Sequence, residues 1–136
     1  MKTITVPAAV ESLDTVRDFI DGVLEAYDCM PKVQFQIDIA VEEIFVNIAS
    51  YAYQPGTGNA EIGIDMKDDP LCAVISFADS GKPFDPLAKE DADTSPEAIN
   101  NRVGGLGILI VKKSMDAMRY SYEDGKNILI IEKNLS

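Results

Sequence analysis

The chain has 136 residues, of which 46% are hydrophobic, and a formal net charge of −11 at neutral pH. This length is enough for one domain with a hydrophobic core and too short for two, so we expect residues 1–136 to form a single domain. The acidic balance argues against direct nucleic-acid binding, because a phosphate backbone needs a basic surface.

The residue types that are rare or missing exclude several further classes of protein. The chain has no histidine, which excludes an internal phosphohistidine, a catalytic serine–histidine or cysteine–histidine pair and a histidine zinc site. Cys29 and Cys72 are far apart and flanked by apolar residues, as expected of reduced core thiols. No apolar run reaches the length of a membrane span, and Met1 leads directly into strand-like sequence. We therefore expect a cytoplasmic protein without a membrane segment.

The first part of the chain predicts a strand and two helices. Residues 2–6 largely alternate between polar and apolar side chains and end at Pro7, a pattern that is typical of a short strand. Apolar residues recur at helical spacing between Glu11 and Cys29, with Ser12 available to cap the helix. Pro31 begins a second helix that continues to about Tyr53.

The remainder predicts two hairpins separated by a loop and a helix. Residues 60–66 alternate between apolar residues and polar residues or glycine, which predicts a strand. Residues 71–78 are apolar on both faces, which favours a central strand. The next stretch is acidic and aperiodic, and we expect a lid at about 86–104. A helix at about 106–118 and a hairpin over 119–134 follow. The order β-α-α-β-β-lid-α-β-β predicts an α+β fold: a two-layer α/β sandwich whose mixed sheet is covered by helices on one face.

The second predicted helix carries a candidate site beside its apolar stripe. Glu43 and Asn47 lie one helical turn apart, about 100° from that stripe, whereas Asp38 and Glu42 are expected to face solvent. Asn47 is a lone amide in an apolar segment and needs a partner. It could bind a hard cation while Glu43 accepts a proton. A surface carboxylate and a backbone-bonded asparagine are the alternative.

A second motif, Asp79-Ser80-Gly81-Lys82-Pro83, follows the central strand. The Asp79 carboxylate could accept a hydrogen bond from the exocyclic amine of adenine. Gly81 would let the backbone approach a flat base, and Pro83 would stiffen the exit. An ordinary turn is the alternative, since Asp-x-Gly is common turn chemistry.

The third motif is Gly104-Gly105-Leu106-Gly107, at the start of the third helix. Glycines before a helix expose N–H groups to an anion that the helix dipole also favours. Arg102 is placed for a phosphate or partner contact, whereas Lys112 and Lys113 are expected on a solvated face. A flexible loop joined to a packed helix is the alternative.

Together the three motifs resemble the signature of the GHKL (Bergerat-fold) ATPases. Residues 43–47 resemble the N box, residues 79–86 the G1 box and residues 104–107 the G2 box. The order of elements also matches, over essentially the whole chain. With Met115-Asp116 after the G2 helix, the sequence is most similar to the anti-sigma-factor serine-protein kinases of bacterial partner switching.

This resemblance implies an enzyme that binds ATP and Mg²⁺ under a mobile lid, holds a sigma factor inactive and phosphorylates a serine on an anti-anti-sigma protein of the STAS type. By matching position, Asn47 would coordinate Mg²⁺, Glu43 would be the general base, and Asp79 and Gly81 would hold adenine. Gly105 and Gly107 would meet the phosphates. The full predicted nucleotide-binding set is Asn47, Asp79, Gly81, Pro83, Arg102, Gly104, Gly105, Leu106 and Gly107.

The sequence departs from the family pattern in two regions, one after the N box and one at the start of the last strand. Tyr51 stands where many relatives have histidine, and Asn127 and Ile128 stand where a hydroxyl often lies beside adenine. Two other functions remain open: a non-catalytic, nucleotide-dependent regulatory binding module, or the ATP-binding domain of a sensor histidine kinase. We also expect a homodimer, because the first strand and helix carry more apolar surface than a thin two-layer domain readily hides.

Overall fold

Five strands and three α-helices follow one another in the predicted order within residues 1–87 and 105–135, the parts of the chain that the computed structural model describes. The elements are β1 (Lys2–Pro7), α1 (Leu13–Ala26), α2 (Pro31–Asn47), β2 (Asn59–Lys67), β3 (Cys72–Asp79), α3 (Gly105–Ser114), β4 (Ala117–Glu123) and β5 (Lys126–Asn134). A 3₁₀ turn, Val10–Ser12, precedes α1, and a π-helical turn, Ile48–Ala52, follows α2.

The strands form one sheet in the order β1-β2-β3-β5-β4, with β3 in the centre as its apolar sequence predicts. Every neighbouring pair in this sheet is antiparallel, so the prediction of a mixed sheet is wrong. After the two helices, β2 returns against β1, and β3 returns against β2. β4 has the same direction as β3, but β5 lies between them.

The core lies between one face of this sheet and the helices, which confirms the predicted two-layer α+β sandwich. α1 packs against β1, β2 and α2, and α2 packs against α3. Across the sheet, Ile62, Phe77 and Leu129 are successive cross-strand neighbours, and all three belong to the buried cluster. The helices contribute Val16, Ile20, Leu24, Ile37, Val41, Ile44, Phe45 and Val111 to the same cluster.

Local sequence signals account for several boundaries. Pro31 occupies the first turn of α2, where its missing N–H is not needed. Asp124 and Gly125 both have positive φ, 53° and 75°, as a two-residue primed turn between β4 and β5 requires. α3 ends at Ser114, earlier than the predicted Met118, because Met118 pairs with Ile131 in β4.

The contact between α1 and α2 contains two carboxyl groups, one of which the sequence predicts in solvent. Glu42 is exposed as expected, but Asp38 is half-buried against Asp21 of α1. One oxygen of each aspartate, Oδ1, is buried without another partner among the described residues. Burial, then the hydrogen bond and charge of Asp21, raises the pKa of Asp38 from 3.8 to about 7, with Arg17 opposing. Asp38 therefore keeps its proton to a higher pH than an exposed aspartate does.

Both cysteines are free, Cys72 buried and Cys29 half-buried, and burial raises the pKa of each thiol. No helix in the described ranges is long and apolar enough to cross a membrane. The apolar stripe of α1 is buried within the chain itself. The sequence argument for a homodimer therefore loses its premise, and the dimer stays a prediction that rests on resemblance.

Candidate functional site

The end of α2 presents Glu43 and Asn47 on one side of the buried stripe. Ile37, Val41 and Ile44 are buried, whereas Glu43 and Asn47 are both half-buried. Neither side chain makes a hydrogen bond or an ion pair within the described part of the chain. Two polar groups one turn apart are therefore available to a ligand. The helix then widens into the π-helical turn, a feature that is frequent at functional sites.

Glu43 lies directly against the first turn of α3. A Cβ placed on Gly107 would be 2.1 Å from Glu43 Oε2 and 2.9 Å from its Cδ. No side chain fits between them, so glycine at 107 is what lets the carboxylate occupy this position. This contact brings the predicted base to the end of α3 where the helix dipole favours anions.

Gly81 brings the loop after β3 against the π-helical turn. A Cβ on Gly81 would lie 2.2 Å from the carbonyl oxygen of Ala52, and Lys82 N–H donates to the same oxygen at 3.0 Å. The sequence suggests this glycine for the approach of a base; the structure gives it a second reason, which is the close approach of two backbone segments. The approach of a base stays a prediction.

Tyr53 ties the same two segments together, and nothing in the sequence analysis singled it out. Its hydroxyl donates to the carbonyl of Asn59 at 2.6 Å and accepts from the N–H of Ser80 at 2.7 Å. The end of the N-box helix and the loop after β3 are thus in contact twice: through the close approach at Gly81 and through the hydrogen bond of Ser80. An Asp-x-Gly loop bonded in this way has a fixed geometry relative to α2.

Asp79 is the last residue of β3 and is only 7% exposed. Its Oδ1 accepts from the N–H of Gly81 at 2.9 Å and from Nδ2 of Asn127 at 3.0 Å. Its Oδ2 makes no hydrogen bond within the described residues. A buried carboxylate with one oxygen filled and one open suits a donor such as an exocyclic amine.

Asn127, the residue that stands near the expected hydroxyl, lies opposite Asp79 at the start of β5. It is 7% exposed and also bonds Lys82, Phe84 and Tyr120. Burial raises the pKa of the Tyr120 hydroxyl, and the nearby carboxylates of Asp85 and Asp79 act in the same direction. Tyr120 therefore stays a neutral donor in this cluster. Its role is not visible in the sequence, because Tyr120 reaches the site only through strand pairing.

The remaining predicted site residues are less fully defined. Pro83 is exposed next to the cluster. The predicted lid at about 86–104, with Arg102 and Gly104, lies outside the described residues except for its first two positions, so these assignments remain predictions. Gly105 and Leu106 form the start of α3, as the phosphate-binding prediction requires.

A sequence model of the histidine kinase-like ATPase domain family matches residues 6–133. Serine-protein kinase RsbW of Listeria monocytogenes is 25% identical over 134 residues, covering 94% of this chain and 83% of the relative. Serine/threonine-protein kinase BtrW of Bordetella bronchiseptica is 25% identical over 100 residues, 74% of this chain and 70% of the relative.

The fold is also found in a solved structure. The RsbU and RsbW domains of a Mycobacterium tuberculosis protein align with a TM-score of 0.65 and 13% identity, covering 99% of this chain and 33% of the other. At that identity the likeness bears on the fold alone, and this chain spans a third of that longer protein. Because the family match covers nearly all of the sequence, this chain belongs to the histidine kinase-like ATPase domain family.

Proposed function

We propose that this chain is a Mg²⁺- and ATP-dependent serine-protein kinase of the anti-sigma-factor type. It would phosphorylate a serine on a STAS-type antagonist and, when that antagonist is absent, sequester a sigma factor in the cytoplasm. The names of the relatives support the kinase class. The observation that carries the proposal is the meeting of the three motifs: Glu43 against Gly107, and Gly81 against the turn that ends the N-box helix.

The donor set fits nucleotide-bound magnesium better than a protein-bound metal. The described residues contain no group of three or more histidine, cysteine or acidic side chains that could hold a metal ion. Mg²⁺ in phosphoryl-transfer sites usually has one or two protein ligands, with phosphates and water supplying the rest. Asn47 Oδ1, half-buried and without a protein partner in the described ranges, would be such a ligand. The metal would neutralise phosphate charge there.

The protein groups would contribute mostly position and electrostatics, as is usual in phosphoryl transfer. Asp79 Oδ2 would accept a hydrogen bond from the exocyclic amine of adenine. The first turn of α3, with Gly105 and Gly107, would donate N–H groups to phosphate oxygens. Glu43 would hold the proton of the incoming serine hydroxyl. Its contact with Gly107 supports this role, because it places the carboxylate beside the phosphate end of α3.

The test compares three variants of α2 in a transfer assay with Mg²⁺, ATP and the cognate STAS partner. Glu43→Ala should lower transfer by roughly 10²–10⁴ while ATP affinity stays near wild type, since a positioned base acts on the chemical step. Asn47→Ala should lower both. Glu42→Ala is the matched control, because Glu42 is exposed on the same helix and should change neither.

Two outcomes would overturn the proposal. Equal effects of the Glu42 and Glu43 substitutions would show that the catalytic face is wrongly assigned. Binding of the partner without any transfer by the wild-type chain would instead favour a non-catalytic, nucleotide-dependent binding module.

A further inference from the structure

Asn127 is the most highly bonded side chain of the described site. Its Nδ2 donates to Asp79 Oδ1 at 3.0 Å and to the carbonyl of Lys82 at 2.8 Å. Its Oδ1 accepts from the N–H of Phe84 at 3.0 Å and from the hydroxyl of Tyr120. These bonds reach three parts of the chain: the end of β3, the loop after it, and β4.

The bonding capacity of asparagine is used up by these four contacts. A side-chain amide has two N–H donors and two acceptor positions, and here each is taken by a protein group. The amide also has one possible orientation. Turning it over would set its oxygen against two acceptors and its N–H groups against the Phe84 N–H.

Asp79 is affected directly by this arrangement. Two donors, Gly81 N–H and Asn127 Nδ2, fill its Oδ1 and fix the plane of the carboxylate. Its Oδ2 is left without a partner in the described part of the chain. The open oxygen accepts and cannot donate, so it favours a ligand edge that carries an N–H over one that carries a carbonyl.

We propose that Asn127 is a positioning residue, which sets base selectivity through Asp79 and makes no hydrogen bond to the nucleotide itself. The proposal rests on the proposed function for the presence of a purine nucleotide, and it adds the residue that determines which purine is accepted. A 6-amino purine would donate to Asp79 Oδ2, whereas a 6-oxo purine would present a carbonyl to it. Asn127 would have no free donor for either ring.

The test measures binding, with Mg²⁺ present, of three nucleotides: ATP, inosine triphosphate (6-oxo) and purine riboside triphosphate, which has hydrogen at position 6. Asn127→Asp replaces the donating amide with an acceptor against Asp79. ATP affinity should fall about 10-fold or more, the usual loss for a hydrogen bond to a charged group. The affinity for purine riboside triphosphate, which has no amine to give to Asp79, should change little.

Tyr120→Phe provides a milder perturbation in case Asn127→Asp folds poorly. It removes one bond to Asn127 Oδ1 without touching Asp79, and ATP affinity should fall a few-fold. Tyr27→Phe is the control, because Tyr27 follows the end of α1, is 47% exposed and lies outside this cluster, and it should have no effect. Melting temperatures without nucleotide separate a folding defect from a binding defect.

A double-variant cycle completes the design. If Asn127 acts through Asp79, adding Asn127→Asp to Asp79→Asn should cost little further ATP affinity. Equal losses for ATP and purine riboside triphosphate, or additive losses in the cycle, would show direct contact with the nucleotide and overturn the proposal. A chain that binds ATP but never transfers phosphate would count against the kinase function alone. A wild-type chain that binds none of the three nucleotides would overturn both.

Discussion

The carboxylate of Glu43 lies so close to Gly107 that a Cβ on that glycine would be 2.1 Å from Oε2, well inside van der Waals contact. The two residues are 64 positions apart and belong to different predicted motifs, so their contact is a product of the fold. No described residue is hydrogen-bonded to Glu43, so its contact with Gly107 is steric. Any side chain at position 107 must therefore displace the proposed base.

Gly107→Ala is expected to reduce phosphoryl transfer by about 100-fold while leaving the chain folded. The colliding atoms are the end of a flexible side chain, so Glu43 moves aside and the helix gains a better helix former. A displacement of about 1 Å at a reacting group costs on that order. The measurement is single-turnover transfer together with the melting temperature.

Two comparisons separate the displacement of Glu43 from other consequences of Gly107→Ala. In a Glu43→Ala background the alanine at 107 should cost little, whereas an unchanged cost there would mean that Gly107 acts on the phosphates alone. Gly22→Ala is the matched helical control, since nothing lies within 4 Å of its Cβ position. It should raise the free energy of unfolding by roughly 0.5–1 kcal/mol and leave transfer unchanged.

Mg²⁺ alone should leave the melting temperature unchanged, whereas Mg²⁺ with ATP should raise it. The described residues offer no cluster of acidic, histidine or cysteine ligands, so the metal is expected to bind with the nucleotide. A ligand that binds only the native state stabilises it by mass action. Thermal scans with metal, nucleotide and both provide the measurement.

Asp79→Asn should remove most of the shift that ATP produces, because an amide is a poorer acceptor for the base than the open carboxylate oxygen. The exposed neighbour Ser80 supplies a control, since among the described residues its N–H is bonded and its hydroxyl is not. Ser80→Ala should keep the full shift. A full shift in the Asp79 variant would remove this residue from the base site.

Stability should fall as the pH rises from about 4 to about 7, through the carboxyl pair between α1 and α2. The pKa of Asp38 is raised from 3.8 to about 7 in the folded chain, so across this window the native state holds a proton that the unfolded state has lost. Folding is then progressively weakened as pH increases, and the effect is complete above the folded pKa.

Asp38→Asn should flatten that pH dependence, since an amide keeps the contact with Asp21 without titrating. Melting temperatures at pH 5 and pH 8 provide the measurement, and Glu42→Gln, on the exposed side of the same helix, should retain the wild-type slope. Glu132 does not obscure the result. Its pKa is lowered by the hydrogen bond from Arg119, so its contribution is lost only on the acid side of this window.

Tyr53→Phe should lower the free energy of unfolding by about 0.5–1.5 kcal/mol, the usual net value of a hydrogen bond. The hydroxyl is bonded to Asn59 and Ser80 in an exposed position, so water can replace it at the backbone N–H and the carbonyl. Chemical denaturation provides the value. Tyr27→Phe, at a tyrosine that is 47% exposed, should change stability by less than about 0.5 kcal/mol.

The sequence predicted the elements well because their signals are local. Apolar spacing identified α1 and α2, and Asp124-Gly125 identified the last hairpin. Strand directions depend on how the connections pack, which explains why the mixed sheet was wrong. The same limit applies to the site: Asp79 and Glu43 belong to readable motifs, whereas Tyr53 and Tyr120 acquire their roles from residues distant in sequence. Asp38 was misassigned because its partner, Asp21, lies on another helix.

The close contacts of Gly81 and Gly107 differ in whether a substitution at the contacting residue could relieve them. At Gly81 the obstructing atom is the backbone oxygen of Ala52, which every amino acid carries, so no exchange at position 52 removes the conflict. At Gly107 the obstructing atom belongs to the side chain of Glu43, and a smaller residue at position 43 would remove it. In lineages that abandoned phosphoryl transfer but kept the nucleotide, positions 43 and 107 should therefore drift as a pair, while glycine at 81 persists.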